Sequence, residues 1–142
     1  MSETPSSLNP YQRRKLQVTL YLVEKALDEM TEYLRGELPK GAMYETVSPT
    51  TPQQRAEMQA LIFQIKERVA AVKEMFDLEA KVNDVTAIIR GYLGSIWESL
   101  HNTRPRNLGG YGAVSPDLFE TLDPELLRII SLINNLEKKL MR

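Results

Sequence analysis

The single histidine of this chain, His101, is the natural place to look for chemistry. It stands three residues after a carboxylate in Glu98-Ser99-Leu100-His101. On a helix that spacing puts both side chains on one face, as in bundles that hold two carboxylate-bridged metal ions. Such a centre takes one pair from each of two helices, and a chain with one histidine supplies one pair. The plainer reading is a solvated glutamate beside a histidine at a helix end. No metal and no cofactor is expected.

His101 can also serve as a general acid or base near neutral pH. Arg104 and Arg106 follow it and could hold a phosphate ester, which would give weak ribonuclease chemistry. HEPN-type helical ribonucleases place the arginine before the histidine; here the order is reversed, and no family follows from it. A histidine at a helix C-terminus more simply caps the helix and complements its dipole. Arg104, Arg106, Lys40 and Arg35 could join the N–H groups of Gly109 and Gly110 in an anion site. Yet Leu108-Gly109-Gly110-Tyr111-Gly112 lacks the Gly-Lys-Ser/Thr ending and the preceding strand of a phosphate loop. The alternative is a loop whose glycines take positive φ, with Leu108 and Tyr111 packed beneath it. Arg13-Arg14-Lys15 is a short basic run that reads as solvated surface, with a phosphate backbone or an anionic membrane as the sharper alternative.

The elements that position these residues follow from periodicity and punctuation. Asn9-Pro10-Tyr11-Gln12 carries a capping residue, a proline suited to the first helical position and a capping-box partner. Leu16, Leu20, Val23, Leu27, Met30 and Leu34 then alternate four and three, the seam of a helix that packs at a shallow angle. The helix should run to about Arg35 and stop at Gly36. Residues 36–51 form a long loop, with Met43-Tyr44-Glu45-Thr46-Val47 able to pair a little as strand. Thr51-Pro52-Gln53-Gln54 repeats the start signal. Met58, Ile62, Ile65, Val69, Val72 and Phe76 repeat the seam.

Around Asp77 the phase changes. A tight turn there, with Asp77 capping, gives a third helix bearing Leu78, Val82, Val85, Ile89, Leu93, Ile96 and Leu100. The alternative is one helix over 52–101, because no glycine or proline marks the break. Three glycines and a proline exclude a regular element over 104–112. Ser115-Pro116 starts a helical turn through Thr121, and Asp123-Pro124 starts the last helix. Its seam is Leu126, Ile129, Ile133, Leu136 and Leu140, widened by Leu127, Ile130 and Leu132. Lys138, Lys139 and Arg142 suit its C-terminal dipole end. Trp97, Phe63, Phe76 and Phe119 read as core.

These elements make an all-α fold: a four-helix antiparallel (up-down-up-down) bundle with two long loops at one end. Residues 9–142 form one domain behind a polar tail over 1–8. The topology gathers Lys40, Tyr44, His101, Arg104, Arg106 and Tyr111 at the loop end, a candidate binding site.

Composition narrows the function. The 142 residues contain no cysteine, which removes disulfides, thiol catalysis and thiolate metal sites. A net charge of −1 lacks the basic excess of many nucleic-acid binders, although a local patch can exist. The most apolar stretch, 85–97, is broken by Arg90 and falls short of the ~20 residues of a membrane span. The N-terminus lacks the features of a signal peptide, so a cytoplasmic location is the expectation. Ala87, Gly91 and Gly94 lie opposite the seam of the third helix, where each glycine costs ~1 kcal/mol relative to alanine. Such residues persist where another backbone approaches, and a helix apolar nearly all round is central or lies at an interface. The expected function is a non-enzymatic interaction module that binds another protein chain, as a homo-oligomer or an accessory subunit. The alternative is a nucleic-acid-associated accessory protein that uses the basic loop.

Overall fold

The computed structural model describes residues 7–140. The tail expected over 1–8 lies outside them apart from Ser7 and Leu8, and so does Arg142. The fold is all-α. Four long helices, α1 (Pro10–Tyr33), α2 (Pro52–Met75), α3 (Val85–Asn102) and α5 (Asp123–Leu140), are joined by loops and by the one-turn helix α4 (Leu118–Thr121). The chain divides into two compact units, one ending at Lys81 and one beginning at Val82.

The first unit is a pair of helices. Both begin at the expected signals. Asn9 Oδ1 accepts from Gln12 N at 2.8 Å while Gln12 Oε1 accepts from Asn9 N at 3.0 Å. Thr51 and Gln54 make the same reciprocal pair. Each box satisfies two backbone N–H groups that the helix itself leaves open.

Three contacts set the direction of packing. Gln59 Nε2 donates to Leu34 O at 3.2 Å, Lys66 Nζ to Asp28 Oδ1 at 2.6 Å, and Arg13 Nη1 to Phe76 O at 2.6 Å. Residues later in α1 meet residues earlier in α2, so these two helices run in opposite directions. Leu27, Leu34 and Ile62 form the buried cluster, with Val23 against it. Leu16 and Leu20 follow the same seam half-buried, whereas Met30, Met58 and Ile65 are exposed.

The same contacts close the helix ends. Gln59 satisfies a carbonyl at the end of α1, and Gly36 carries the chain away at φ +113°. Arg13 bonds the carbonyls of both Phe76 and Asp77 at the end of α2. Part of the run Arg13-Arg14-Lys15 therefore does structural work. The charge that does not suit the N-terminus of its own helix suits the C-terminus of its neighbour.

The break near Asp77 is present, and its form differs from a tight turn capped by Asp77. α2 ends at Met75, and Asp77 takes φ +52°. Leu78 N bonds Lys73 O at 2.9 Å and Asp77 N bonds Glu74 O at 3.3 Å. This 6→1 and 5→2 pairing is the Schellman closure, with aspartate in the left-handed position that glycine usually fills. Leu78, the residue after it, is buried. Residues 78–81 then lie along α1: Glu79 N donates to Gln17 Oε1 at 2.9 Å, and Lys81 Nζ sits 4.8 Å from the centre of the Tyr21 ring. The cap of α3 is Asp84, whose side chain accepts from Thr86 N at 2.9 Å.

The second unit pairs α3 with α5, and α4 packs on α5. Leu93 is buried on α3, with Thr86, Ile89 and Leu100 half-buried; Leu126 and Ile130 are buried on α5, with Ile133 and Leu140 half-buried. The seam of the last helix is thus Leu126, Ile130, Ile133 and Leu140. Ile129 and Leu136, expected inside, are exposed. Val82 and Val85 are exposed as well, because the first lies in the linker before α3 and the second on its first turn. The expectation of an aromatic core is also corrected. Phe63, Trp97 and Phe119 are exposed and Phe76 is half-buried, since each unit covers a single stripe of each helix.

Asp77 supplies a test of the closure. A non-glycine residue in the left-handed region costs roughly 1–2 kcal/mol, of which glycine returns part through a looser unfolded chain. Asp77→Gly should therefore stabilise the protein by about 0.5–1 kcal/mol in chemical denaturation, and Asp77→Val should destabilise it.

Candidate functional site

The residues singled out for chemistry fall into two groups. Lys40 and Tyr44 belong to the first unit; His101, Arg104, Arg106 and Tyr111 belong to the second.

In the first unit the loop after α1 makes one small antiparallel bridge, between Lys40 and Glu45. Gly41 N donates to Tyr44 O at 2.9 Å and closes the turn. A Cβ on Gly41 would stand 3.0 Å from the Tyr44 ring, so the ring lies directly over this glycine. Lys40 borders a shallow hollow that also holds Glu29, Glu32 and Glu37. Its surroundings are acidic, which works against an anion site there. Arg35, the other cation considered for that site, pairs with Glu32 at 3.3 Å.

In the second unit the end of α3 is tied down by its own loop. Thr103 Oγ1 donates to Ser99 O at 2.7 Å, and Asn107 Nδ2 donates to His101 O at 2.8 Å. Pro105 is fully buried, and two short 3₁₀ turns follow over Pro105–Asn107 and Gly109–Tyr111. The His101 ring packs on Trp97 one turn back, with centroids 4.1 Å apart and planes tilted by 50°. The Asn107 amide, rather than the histidine side chain, satisfies a carbonyl at this helix end.

Arg104 has a partner that the sequence reading missed. Its Nε donates to Asp123 Oδ1 at 2.8 Å and its Nη2 to Asp123 Oδ2 at 2.9 Å. Both side chains are mostly covered, with 16% and 17% of their surface accessible. The two-pronged geometry fits guanidinium to carboxylate on both oxygens. It also ties the C-terminal end of α3 to the N-terminal end of α5, so these packed helices run in opposite directions. The hydrogen bonds from Arg104 hold the Asp123 carboxyl below its ordinary 3.8. Burial opposes that shift, and the charges of Arg104 and Arg106 add to it.

This arrangement limits what the loop can do. Arg104 is committed to Asp123 and offers little to a ligand. Arg106 is exposed. Only Gly112 of the loop glycines takes positive φ, at +138°, and Tyr111 projects outward at 90% exposure instead of packing. Among the described residues no three His, Asp or Glu side chains group so as to hold a metal ion.

The third set of residues has a different character. Ala87, Gly91 and Gly94 are exposed on α3, and a Cβ at either glycine would meet nothing within 4 Å. Arg90 and Glu98 are the only fully charged side chains on this helix, which otherwise carries apolar, small and polar residues. Val85, Ile88, Tyr92 and Ile96 lie exposed along it. On α5, Ile129, Leu132 and Leu136 do the same.

Set against protein-family models, characterised proteins and solved structures, the chain matches none. No helix among the described residues is long and apolar enough to cross a membrane.

The Arg104–Asp123 pair gives a pH prediction with a definite sign. A carboxyl whose value is depressed by folding contributes stability above its unfolded value and loses it as pH falls through the folded value. Asp123→Asn should lower the melting temperature by a few degrees at about pH 7. The gap from the parent should shrink as the pH falls below the ordinary carboxylate range and the Asp123 carboxyl takes up its proton, as thermal melts over a series of acidic pH values would record.

Proposed function

We propose that this chain is a non-catalytic helical interaction module that binds another protein chain. One observation carries the reading: the exposed apolar and small side chains of α3 and α5. A surface helix of a self-contained protein keeps one apolar stripe and is polar elsewhere. α3 carries a second stripe of large apolar residues at helical spacing, beside a patch of small ones. Contiguous exposed apolar surface of this kind marks interaction sites. Ala87, Gly91 and Gly94 are the residues at which a partner backbone could come closest. A cytoplasmic setting suits a cysteine-free chain of this kind.

The nucleic-acid reading has lost support. Arg104 is occupied by Asp123, Lys40 stands among glutamates, and Arg106 remains as the exposed cation of the loop.

The test is purification of the tagged protein from its own host, washed at low and high salt. A stoichiometric protein partner that survives high salt is the expected result. Nucleic acid that is lost steeply with salt, without a protein partner, would overturn the reading, because phosphate contacts are salt-sensitive. Gly91→Leu sharpens the test. Among the described residues a Cβ at Gly91 would meet nothing within 4 Å, and leucine is the better helix former by roughly 0.5–1 kcal/mol. The variant should melt no lower than the parent and yet lose its partner.

A further inference from the structure

The stripes on α3 and α5 share a geometric property. Four of the exposed residues stand immediately before an inward-facing one: Ile88 before Ile89 and Tyr92 before Leu93 on α3, Ile129 before Ile130 and Leu132 before Ile133 on α5. One residue back is one fixed rotation about the helix axis. The same rotation on two helices that run oppositely opens both stripes onto the same side of the pair. The second unit therefore has one broad apolar face. Leu132 and Tyr92 are its most exposed large side chains, at 67% and 69%. Together the stripe residues expose on the order of 600–700 Å², close to the ~800 Å² that each partner contributes to a standard interface.

The charges at the borders of this face say what could cover it. Glu125 and Lys139 flank the α5 stripe, and Leu132 stands seven residues from each. Seven residues is two turns, so the three lie on one line along the helix. A copy of α5 laid antiparallel across Leu132 would bring each Glu125 opposite the other copy's Lys139. A two-fold axis creates that contact twice, because an isologous interface repeats every pairing. Glu125 already pairs with Arg128 on its own helix, in an exposed contact that leaves the carboxylate open to a second cation.

The α3 side agrees: Ser95 and Ser99 lie on the same side of α3 as Ile88 and Tyr92, are small enough to let a second helix approach, and carry no charge that would meet its like.

We infer that the α3–α5 face binds the same face of a second copy of this chain, with α5 antiparallel to its symmetry mate about Leu132. This inference rests on the interaction-module reading and names its partner.

The experiment is sedimentation of the full chain over a concentration series, for the parent and four variants, each checked by circular dichroism. The parent should be a dimer. Leu132→Glu, at an exposed position, should stay folded and become monomeric. Glu125→Lys and Lys139→Glu should each weaken the dimer about five- to tenfold, and E125K/K139E together should restore it. Within one helix these two residues are about 21 Å apart, too far to pair, so recovery in the double variant reports a contact between copies. A monomeric parent, or a dimer indifferent to Leu132→Glu, would overturn the inference. So would charge variants whose effects simply add. A monomer that still holds a different protein through salt, and releases it on Leu132→Glu, would overturn the second-copy inference while the interaction-module reading stands. A monomer without any protein partner would overturn both.

Discussion

Two helices packed side by side can cover only one stripe of each. That constraint governs most of what is seen in this chain. Each unit is built on one such pair, α1 with α2 and α3 with α5, and the buried residues of each unit are correspondingly few. Leu27, Leu34 and Ile62 close the first; Leu93, Leu126 and Ile130 centre the second. Apolar residues one step around the helix from these stripes stay in contact with solvent. The exposed isoleucines and leucines of α5 are therefore a consequence of pairing rather than a local irregularity.

Because the covered stripe is narrow, end chemistry matters more than usual. The first unit fastens its helices with polar contacts that cross between them: Arg13 on the carbonyls that end α2, Gln59 on a carbonyl that ends α1. The second does so with Arg104 and Asp123. Each contact joins one helix to an end of its neighbour, so it fixes register as well as satisfying a polar group.

Signals confined to a few residues were legible in the sequence. Asn9 with Gln12 and Thr51 with Gln54 are complete capping boxes, because the box is closed within four residues and needs no tertiary partner. The break after Phe76 was legible as a change of phase, but not its mechanism, since aspartate in the left-handed position leaves no mark that distinguishes it from a capping aspartate. The inner face of α5 was misjudged by one step. Ile129 and Ile130 are chemically alike, and only the partner helix chooses between them. The loop end was least legible. Arg104 and Arg106 look equivalent in a sequence, yet one is held by Asp123 and the other is free of that tie. Asp123 itself reads as the cap of its own helix, and its true partner is nineteen residues away.

The same comparison bears on where function lies. Long loops in compact domains are common seats of function, and here the loop after α3 spends its polar groups on itself and on α5. Asn107 serves His101 O, Thr103 serves Ser99 O, and Arg104 serves Asp123. A loop so internally satisfied has little left with which to bind. α3 is in the opposite condition. It carries two mid-helix glycines at ~1 kcal/mol each relative to alanine, and no atom of its own unit uses the space they leave. It also exposes large apolar side chains that water solvates poorly. The exposure of Tyr92 and Ile96 is offset if a second helix surface lies over their side of α3, and the space at Gly91 borders that side, whereas Gly94 opens onto the other side of the helix. No arrangement of the loop would offset either. The balance of uncompensated terms thus points from the loop end to the helix face.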